Sequence, residues 1–353
     1  MSPAKFAVVG TGANGASIGA DLVRAGLDVT FIDQWPAHVE AMRADGLTVH
    51  LPDRTEVTPV TAYHLCQVAE LRDTFDVVFI SVKSYDTRWV CELIKPLLQP
   101  DSVVVGLQNG MTIDDIAEIC GEERTVGAVL GIAANMFEPG VVVRQYDKSE
   151  TWMTVGSPGA AAVSGVALAA EALGHAAIAS VTDDIRAAKW MKLIANIPEM
   201  LPSAILDVPL LTAVSFDGIR PVMDAASREA YAVACALGIT MVPIFGMTEA
   251  DVDPDDAYSL RLLDQVLAHY SRPDTRVAVL QDWMKGRRAE LDAFSGYIVR
   301  RGHELGVPVP VNEGILAIAE RIEAGELRPD TANVAELTAL LDTRPPTTAQ
   351  EQK

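Results

Sequence analysis

The chain has 353 residues, a formal net charge of −20 at pH 7 and a hydrophobic fraction of 49%. A chain of this size is long enough for two domains, and its apolar content is ample for real cores. The excess of 48 acidic over 28 basic residues repels nucleic acid and anionic membranes, so we expect neither as a partner. No apolar run reaches membrane-spanning length, so we expect no transmembrane segment.

The four cysteines show neither a CxxC pair nor a metal-binding spacing. They are Cys66, Cys91, Cys120 and Cys235. This usage is typical of a reducing compartment with unpaired thiols. The first predicted strand begins within the first six residues, which leaves no room for a signal peptide. We therefore expect a cytoplasmic protein without a metal site.

The N-terminal stretch begins with an apolar strand, Phe6–Val9, which leads into a glycine turn, Gly10–Gly15. A helical pattern follows. A second strand, Val29–Ile32, then ends at Asp33. This order of strand, glycine loop, helix, strand and acid is that of a dinucleotide-binding unit.

Each glycine of the turn has a mechanical role. Gly10 permits the tight turn, Gly12 lets the backbone approach a pyrophosphate, and Gly15 lets the helix pack on the strand. The pyrophosphate would lie at the helix N-terminus, where free N–H groups favour an anion. We expect Ala13 and Asn14, between the last two glycines, to contact the cofactor as well. The alternative is a glycine turn that binds no nucleotide.

Asp33 favours NAD(H) over NADP(H). A carboxylate at this position accepts hydrogen bonds from a ribose 2′-OH and repels a 2′-phosphate. No arginine follows closely, and Arg43 lies a helix away. Asp33 could also cap the helix that begins near Pro36, and the two roles are compatible. NADP(H) remains the alternative cofactor.

The rest of the first domain alternates helices and strands. Lys83 and Asn109 follow two buried apolar strands, at the strand ends where open α/β sheets bind ligands. Short β-type pieces between Thr125 and Val155 indicate strands added to the parallel sheet. The predicted helices are 36–44, 89–98, 113–119 and 163–173, and the predicted strands are 47–51, 57–62, 76–82, 102–107, 125–129, 141–145, 151–155 and 177–181.

After Asp183 the pattern is helical almost throughout. We place the domain boundary near Thr182, giving an N-terminal dinucleotide-binding domain over residues 1–182 and a helical substrate and dimerisation domain over 183–342. Residues 343–353 have the composition of a disordered tail. The predicted helices are Ile185–Ile197, Ile219–Leu237, Ser259–Ser271, Thr275–Leu305 and Glu313–Ala324.

An N-terminal nucleotide domain followed by a helical domain is typical of a dehydrogenase, which needs a proton donor for carbonyl reduction. The six histidines are poorly placed for this role, and we expect surface or structural positions for all of them. They are His38, His50, His64, His175, His269 and His303.

Lys192 is a better candidate for the acid–base group. It shares a face with Asn196 on the first helix of the second domain. A lysine beside an apolar stripe can have its pKa lowered towards neutrality. The alternatives are a solvated lysine at this position and Lys189 in the same role.

Several separate motifs show that the chain resembles the ketopantoate reductase (2-dehydropantoate 2-reductase) family over nearly its whole folded length. They are Gly10–Gly15, Val82-Lys83, Gln108–Met111, Trp190–Asn196, Leu280–Asp282, Glu290–Asp292 and Val307–Asn312.

The resemblance implies that Lys192 donates the proton to the substrate carbonyl oxygen and that Asn196 contacts substrate. It implies that Lys83 and Asn109 line the nicotinamide end of the cleft, where Asn109 also meets substrate. Glu290 would face cofactor and substrate from the long helix.

The resemblance also implies that Ala133 lies against the cofactor. The fold it implies is a Rossmann-type α/β domain followed by an all-α domain, as in 6-phosphogluconate dehydrogenase, in a homodimer.

Three departures from the family pattern are apolar. Met200 stands where the family has a second asparagine, and Leu210 where it has a third. Ala278 replaces a serine that the family uses on substrate. Pro198 and Glu199 are unusual in the same stretch. A small hydroxylated acid would lose hydrogen bonds at these positions, so we expect Met200 and Ala278 to line a less polar pocket.

Extra sequence near Phe245–Gln265 could fold over the cleft. It contains acidic residues from Asp251 to Asp256 that faintly resemble a calcium loop, but Asp256 and Leu262 stand where that loop needs Gly and Glu. We interpret it as a surface loop with a helix cap.

The sequence therefore predicts an NAD(P)-dependent oxidoreductase that transfers hydride between nicotinamide and a carbonyl or secondary alcohol carbon. The expected substrate is a small molecule bulkier or less polar than ketopantoate. Authentic 2-dehydropantoate 2-reductase is the first alternative. A non-catalytic dinucleotide sensor is an alternative of another class.

Overall fold

A computed structural model of the chain describes residues 3–159, 163–252 and 255–343. The chain divides into two compact units, Met1–Lys189 and Trp190–Lys353. The boundary predicted near Thr182 precedes this division by a few residues. The predicted tail lies outside the described residues from 344 onwards.

The first unit is built on strands that alternate with helices. Its strands are β1 (Lys5–Val9), β2 (Asp28–Asp33), β3 (Leu47–His50), β4 (Thr55–Thr58), β5 (Thr61–His64), β6 (Phe75–Ile80), β7 (Leu98–Gly106), β8 (Thr125–Gly131), β9 (Ala134–Glu138), β10 (Val141–Arg144), β11 (Trp152–Gly156) and β12 (Ile178–Val181). Its helices are α1 (Ala13–Arg24), α2 (Pro36–Asp45), α3 (Thr87–Ile94), α4 (Ile113–Cys120) and α5 (Val163–Leu173).

The main sheet has eight strands in the order β12-β11-β8-β7-β6-β1-β2-β5. Strand β1 is paired in parallel with β2 and with β6, so that Val9 lies opposite both Ile32 and Ile80. The parallel pairing continues from β6 through β7 to β8. Strand β11 is added to this sheet, as predicted for the pieces between Thr125 and Val155, and it pairs antiparallel with β8.

The two faces of β1 belong to two separate cores, because successive side chains of a strand point to opposite faces. Phe6 and Val8 pack with α1, α2 and α5. Ala7 and Val9 pack with α3 and α4. The sheet is therefore covered by helices on both faces, which explains why its central strands read as continuous apolar runs.

A second sheet has four strands in the order β4-β3-β10-β9. The sequence assigned Val141–Gln145 to the main sheet, and this assignment is wrong. Strand β10 instead pairs in parallel with β3 and antiparallel with β9. Its alternate burial, with Val142 buried and Val143 exposed, is typical of a sheet covered on one side.

The described part of the second unit contains helices and no strand. The unit begins within α6 (Ile185–Ile205). The later helices are α7 (Leu210–Val214), α8 (Ile219–Ala236), α9 (Ala257–His269), α10 (Ala278–Met284), α11 (Ser295–Leu305), α12 (Pro310–Glu323) and α13 (Val334–Ala339). No helix of the described residues is both long and apolar enough to cross a bilayer.

Helix α6 continues through Pro198 and Pro202 to Ile205, whereas the sequence ended it at Ile197. An interior proline costs a helix about 3 kcal/mol. The helix continues because Leu201 and Ile205 are fully buried beyond the first proline. Burying two such side chains contributes a similar amount.

The single long helix predicted over Thr275–Leu305 is wrong. Helix α10 ends at Met284, and Gly286 then adopts a left-handed φ of 63°, a conformation that commonly ends helices. The loop that follows is held by Glu323, whose carboxylate accepts hydrogen bonds from the Ala289 N–H at 2.9 Å and the Trp283 indole at 2.6 Å.

Candidate active site

The glycine turn after β1 has the close packing that its sequence predicts. Gly10 has a φ of +86°, and a Cβ there would lie 2.6 Å from the Val82 nitrogen. A Cβ on Gly15 would lie 2.3 Å from the Gly10 oxygen. Larger side chains at either position would push the turn off β1.

Gly12 differs from these two glycines because nothing lies within 4 Å of where its Cβ would be. It is the N-cap of α1, and no side chain caps this helix end. Ala13 and Asn14 begin the helix, and the buried Asn14 Oδ1 has no hydrogen-bond partner in the described structure. This open end with unused N–H groups fits the pyrophosphate of a dinucleotide.

Asp33 ends β2 and is buried, with 8% of its surface exposed. Its Oδ2 accepts hydrogen bonds from the Thr11 N–H at 2.6 Å and the Thr11 hydroxyl at 2.9 Å. Its Oδ1 accepts from the Trp35 N–H at 2.8 Å. These bonds fix the carboxylate beside the glycine turn. Asp33 bonds to the N-cap residue Trp35 but does not cap α2, which has no side-chain cap hydrogen bond.

Arg43, the first arginine after Asp33, is engaged elsewhere. Its guanidinium donates to the Ala62 carbonyl at 2.8 Å and to the carboxylate of Glu40 at 3.0 Å. It also bonds the side-chain oxygen of Gln67. The guanidinium of Arg43 therefore already has hydrogen-bond partners within the protein.

His38 is fully buried, so of the surface or structural positions predicted for the histidines it has a structural one. Its Nδ1 accepts from the Gly140 N–H at 2.9 Å, and its Nε2 lies 2.8 Å from the Thr11 carbonyl. Accepting at Nδ1 places the proton on Nε2, which donates to Thr11. Nothing in the sequence signals the hydrogen bond between His38 and Gly140, because the two residues are 102 positions apart in the chain.

Three further predicted cofactor residues follow adjacent strands of the sheet. Lys83 lies just beyond β6, Asn109 beyond β7 and Ala133 beyond β8. All three are half-buried, and the Ala133 carbonyl accepts from the Gln145 N–H at 2.9 Å. Because β6, β7 and β8 are parallel neighbours, these residues share the carboxyl edge of the sheet.

Lys189 is buried, with 3% of its surface exposed. Its ammonium donates to the backbone carbonyls of Gln108 at 3.0 Å and Ala128 at 3.2 Å. Burial lowers the pKa of Lys189 to about 8, and the Asp114 carboxylate opposes this shift. Lys189 therefore joins β8 to the residues that follow β7, a structural role.

Lys192 and Asn196 lie on one face of α6. Lys192 is half-buried and Asn196 is fully buried. Neither side-chain polar atom of Asn196 has a hydrogen-bond partner in the described structure. An unsatisfied buried amide costs about 1–3 kcal/mol, so this residue is suited to a ligand that pairs with it.

Glu199 extends the same face and is buried, with 5% of its surface exposed. Burial raises the pKa of Glu199 to about 7, and Lys192 opposes part of that shift. Burial lowers the pKa of Lys192, and Glu199 opposes it in turn. From the sequence, Glu199 was only an unusual residue in its stretch. Any role of its carboxyl group depends on its burial, which the sequence did not predict.

The extra segment reaches Lys192 through an aromatic ring. The Lys192 ammonium lies 4.8 Å from the centre of the Phe245 ring, a cation–π distance. Phe245 is buried and has a left-handed φ of 57°, which is strained for a bulky residue. The Tyr270 ring packs against it at 5.1 Å.

The three apolar departures are all in the second unit. Met200 follows Glu199 on α6, Leu210 begins α7 and Ala278 begins α10. Met200 and Leu210 are buried, with 8% and 1% of their surfaces exposed, and Ala278 is half-buried. The family resemblance implies polar residues at these three positions, where this chain has apolar ones. A buried carboxyl group, that of Glu199, lies next to Met200 in the sequence.

Glu290 is buried but does not lie on a long helix. It precedes a short 3-10 turn, Leu291–Ala293, in the loop between α10 and α11. The expectation of a helical position is therefore corrected. Its predicted contact with cofactor and substrate stays a prediction.

The acidic segment behaves as a cap. The Asp251 carboxylate accepts from the Thr248 N–H at 2.7 Å and from its hydroxyl at 2.8 Å. Asp256 pairs with Arg228. Residues 253 and 254 lie outside the described structure, and the described residues contain no cluster of metal-ligating side chains.

Two family models match the chain over most of its length. Ketopantoate reductase PanE/ApbA matches residues 6–158, and its C-terminal counterpart matches residues 184–323. The chain belongs to the ketopantoate reductase family. It is an NAD(P)-dependent oxidoreductase that acts on a carbonyl or alcohol carbon. This finding argues against the alternative hypothesis of a non-catalytic dinucleotide sensor.

Individual relatives cover nearly the whole chain. A 2-dehydropantoate 2-reductase of Mesorhizobium japonicum is 26% identical over 340 residues, covering 90% of this chain and 97% of the relative. The crystal structure of a PanE/ApbA family ketopantoate reductase from Ralstonia eutropha JMP134 is 30% identical, with a TM-score of 0.77 and coverage of 91% and 99%.

A second solved structure shares the fold. The ternary structure of D-mandelate dehydrogenase with NADH and anilino(oxo)acetate has a TM-score of 0.81 at 20% identity, covering 91% of this chain and 99% of the other. These likenesses confirm the predicted Rossmann-type domain followed by an all-α domain.

Proposed function

We propose that this enzyme interconverts a 2-oxo acid and its 2-hydroxy acid, with a side chain bulkier or less polar than that of ketopantoate. The observation that carries the proposal is the apolar character of buried Met200 and Leu210, at positions where the family has asparagines. The Phe245 ring over Lys192 adds apolar surface at the same group. A substrate hydroxyl placed there would lose water without gaining a partner.

The residues of the glycine turn fit a dinucleotide. Gly12 would face the pyrophosphate, and Asp33 would face the adenosine ribose. When bound, the nicotinamide would supply or accept a hydride at its C4. We infer from the family resemblance that Lys83, Asn109, Ala133 and Glu290 surround it.

Lys192 is the proposed acid–base group. In reduction its ammonium donates one proton to the carbonyl oxygen as the carbonyl carbon receives the hydride, and Lys192 is left as the neutral amine. In oxidation the amine takes the hydroxyl proton. Burial lowers the pKa of Lys192, which makes the neutral amine needed for oxidation easier to form.

Asn196 is the proposed substrate-binding residue on the same face of α6. Its amide has both a donor and an acceptor available. A carboxylate or carbonyl oxygen of the substrate would satisfy the donor.

NAD(H) is the proposed cofactor. The Asp33 carboxylate is held in place by Thr11 and Trp35, and a 2′-phosphate would bring a second negative charge to a buried one. The engagement of Arg43 with Glu40 supports the same preference.

Authentic 2-dehydropantoate reduction is the second candidate. The buried carboxyl of Glu199 and amide of Asn196 favour it, because either could pair with a hydroxyl of ketopantoate. We further propose a homodimer, as the family resemblance implies. A cytoplasmic location is consistent with four free thiols.

The test is a substrate panel followed by the absorbance of the reduced nicotinamide. Purified enzyme is mixed with NADH and 2-oxo acids whose side chains are polar, branched alkyl or aryl, and with NAD and the matching 2-hydroxy acids. We expect turnover with the branched or aryl compounds. Cofactor binding without turnover across the panel would contradict the proposal.

A further inference from the structure

The polar groups of α6 form a stripe of four residues, and the family resemblance accounts for Lys192 and Asn196 but not for the other two. Lys192, Asn196, Glu199 and Ser203 recur at intervals of four, three and four, which is the spacing of one helix face. Asn196, Glu199 and Ser203 are all buried. Leu193, Ile194 and Ile197 around them are apolar and buried as well. A charged stripe inside such surroundings requires an explanation.

The backbone of α6 around Glu199 has two local features. The Ser203 hydroxyl donates to the Glu199 carbonyl at 2.5 Å. Pro198 has no N–H, so the Ile194 carbonyl loses its usual helical donor. The helix nevertheless continues to Ile205, which keeps Glu199 on the same face as Lys192 and Asn196.

The Glu199 carboxyl and the Lys192 ammonium act on each other through space. Seven residues, or about two helical turns, separate them, so they lie on one face about 10.5 Å apart along the axis. The charge of Glu199 raises the pKa of Lys192 against the effect of burial, and the charge of Lys192 lowers the pKa of Glu199 in the same way. The buried Asn196 amide lies between them on the same face.

We propose that Glu199 is a positioning residue for proton transfer, whose carboxylate holds the proton on Lys192. This inference rests on the proposed role of Lys192 as the acid–base group. Burial disfavours the ammonium form of Lys192, and loss of its proton would leave no acid for the reduction. The Glu199 carboxylate opposes that loss, as does the Phe245 ring through its cation–π contact.

The first test titrates Lys192 without any turnover. The enzyme is labelled with carbon-13 at lysine Cε, and Lys192→Met identifies the resonance. Glu199→Gln should lower the pKa of Lys192 by about one unit, the effect of removing a nearby opposite charge. An unchanged titration would overturn the proposal, and it would do so whether or not a substrate is known.

The second test uses the two reaction directions. In Glu199→Gln the alkaline limb of kcat/KM for reduction should move down by about one unit. At a fixed pH below the pKa of Lys192, oxidation should rise by up to about tenfold, since more lysine is present as the amine. Equal losses in both directions at every pH would indicate structural damage and overturn the proposal.

Two further variants serve as a repeat of the test and as its control. Glu199→Met has a similar volume and should reproduce the shift of Glu199→Gln. Glu326→Gln removes a carboxylate from an exposed site of the same unit, and it should leave the Lys192 titration unchanged. If no compound is turned over while the pKa of Lys192 still shifts, the proposed function fails, and only the electrostatic coupling between Glu199 and Lys192 stands.

Discussion

Lys192 and Lys189 lie three residues apart but have different surroundings. Lys189 donates to two backbone carbonyls, whereas Lys192 has the Phe245 ring and the field of Glu199. Sequence spacing alone left both as candidates for the acid–base group. The difference depends on contacts with strands far away in the chain.

Lys192→Ala should lower kcat by about 10²–10⁴, the usual contribution of a positioned acid–base group. The affinity for NADH should stay near that of the wild type, because the glycine turn and Asp33 are unaltered. Steady-state rates and fluorescence titration with NADH measure the two quantities. Lys148→Ala, at an exposed lysine, is the control and should retain full activity; a Lys192→Ala enzyme of equal activity would remove this residue from the mechanism.

Asp33→Ser should relax the preference for NADH over NADPH. We expect the preference to fall by about 1–3 kcal/mol, the cost of leaving a buried charge without a partner. The ratio of kcat/KM for the two cofactors measures it. Asp28→Ser changes an exposed carboxylate on the same strand and should leave the ratio unaltered. A wild-type enzyme that prefers NADPH would refute the assignment.

Lys189 should make stability depend on pH. Its pKa falls from 10.5 when unfolded to about 8 when folded, so between these values the unfolded chain binds more protons than the folded one. Stability therefore rises with pH across that window.

Urea unfolding at about pH 7.5 and about pH 9.5 should show a gain of about 2 kcal/mol in the wild type from this lysine. Lys189→Met should lack that part of the gain. It should also be destabilised at the lower pH, because the Gln108 and Ala128 carbonyls lose their donor. Parallel pH dependences for the two proteins would show that Lys189 is not desolvated as described.

At the level of elements, the central parallel strands of the first unit were predictable. The predicted strand 57–62 is wrong, since it is divided between β4 and β5 in two different sheets, and the helix breaks of the second unit were not predictable either. Strand β6 and its neighbours are recognisable in the sequence as continuous apolar runs, because both of their faces are buried. The loop after α10 depends on Glu323, which no local pattern in residues 275–305 could reveal. Pro198 is the opposite case, since a strong local stop signal was outweighed by burial of Leu201 and Ile205.

Helix α6 also offers a gain-of-function test of the pocket. Met200→Asn restores an amide where the family has its second asparagine. We expect kcat/KM for ketopantoate to rise about tenfold, the value of one added hydrogen bond. Met200→Leu keeps the site apolar and should give no such gain. Equal rates in the two variants would indicate that position 200 does not face the substrate.

At the level of the whole molecule, the two units differ in how much the sequence disclosed. The glycine turn and Asp33 form a local motif, and the structure brings them together as predicted. The proposed substrate-binding side depends on Phe245 and Glu199, whose proposed roles arise from packing within the helical unit. In this unit the sequence predicted that polar residues are replaced by apolar ones, but it did not predict that the Glu199 carboxyl group is buried.

The central claim is that this family member favours a less polar substrate than ketopantoate. The most direct measurement compares kcat/KM, with NADH, for ketopantoate and for 2-oxo acids with aryl or branched alkyl side chains. Two missing hydrogen bonds predict that ketopantoate is poorer by about 10²–10⁴. Turnover of ketopantoate at about 10⁴ M⁻¹s⁻¹ or better, matching or exceeding the aryl and branched compounds, would contradict the account and favour 2-dehydropantoate reduction.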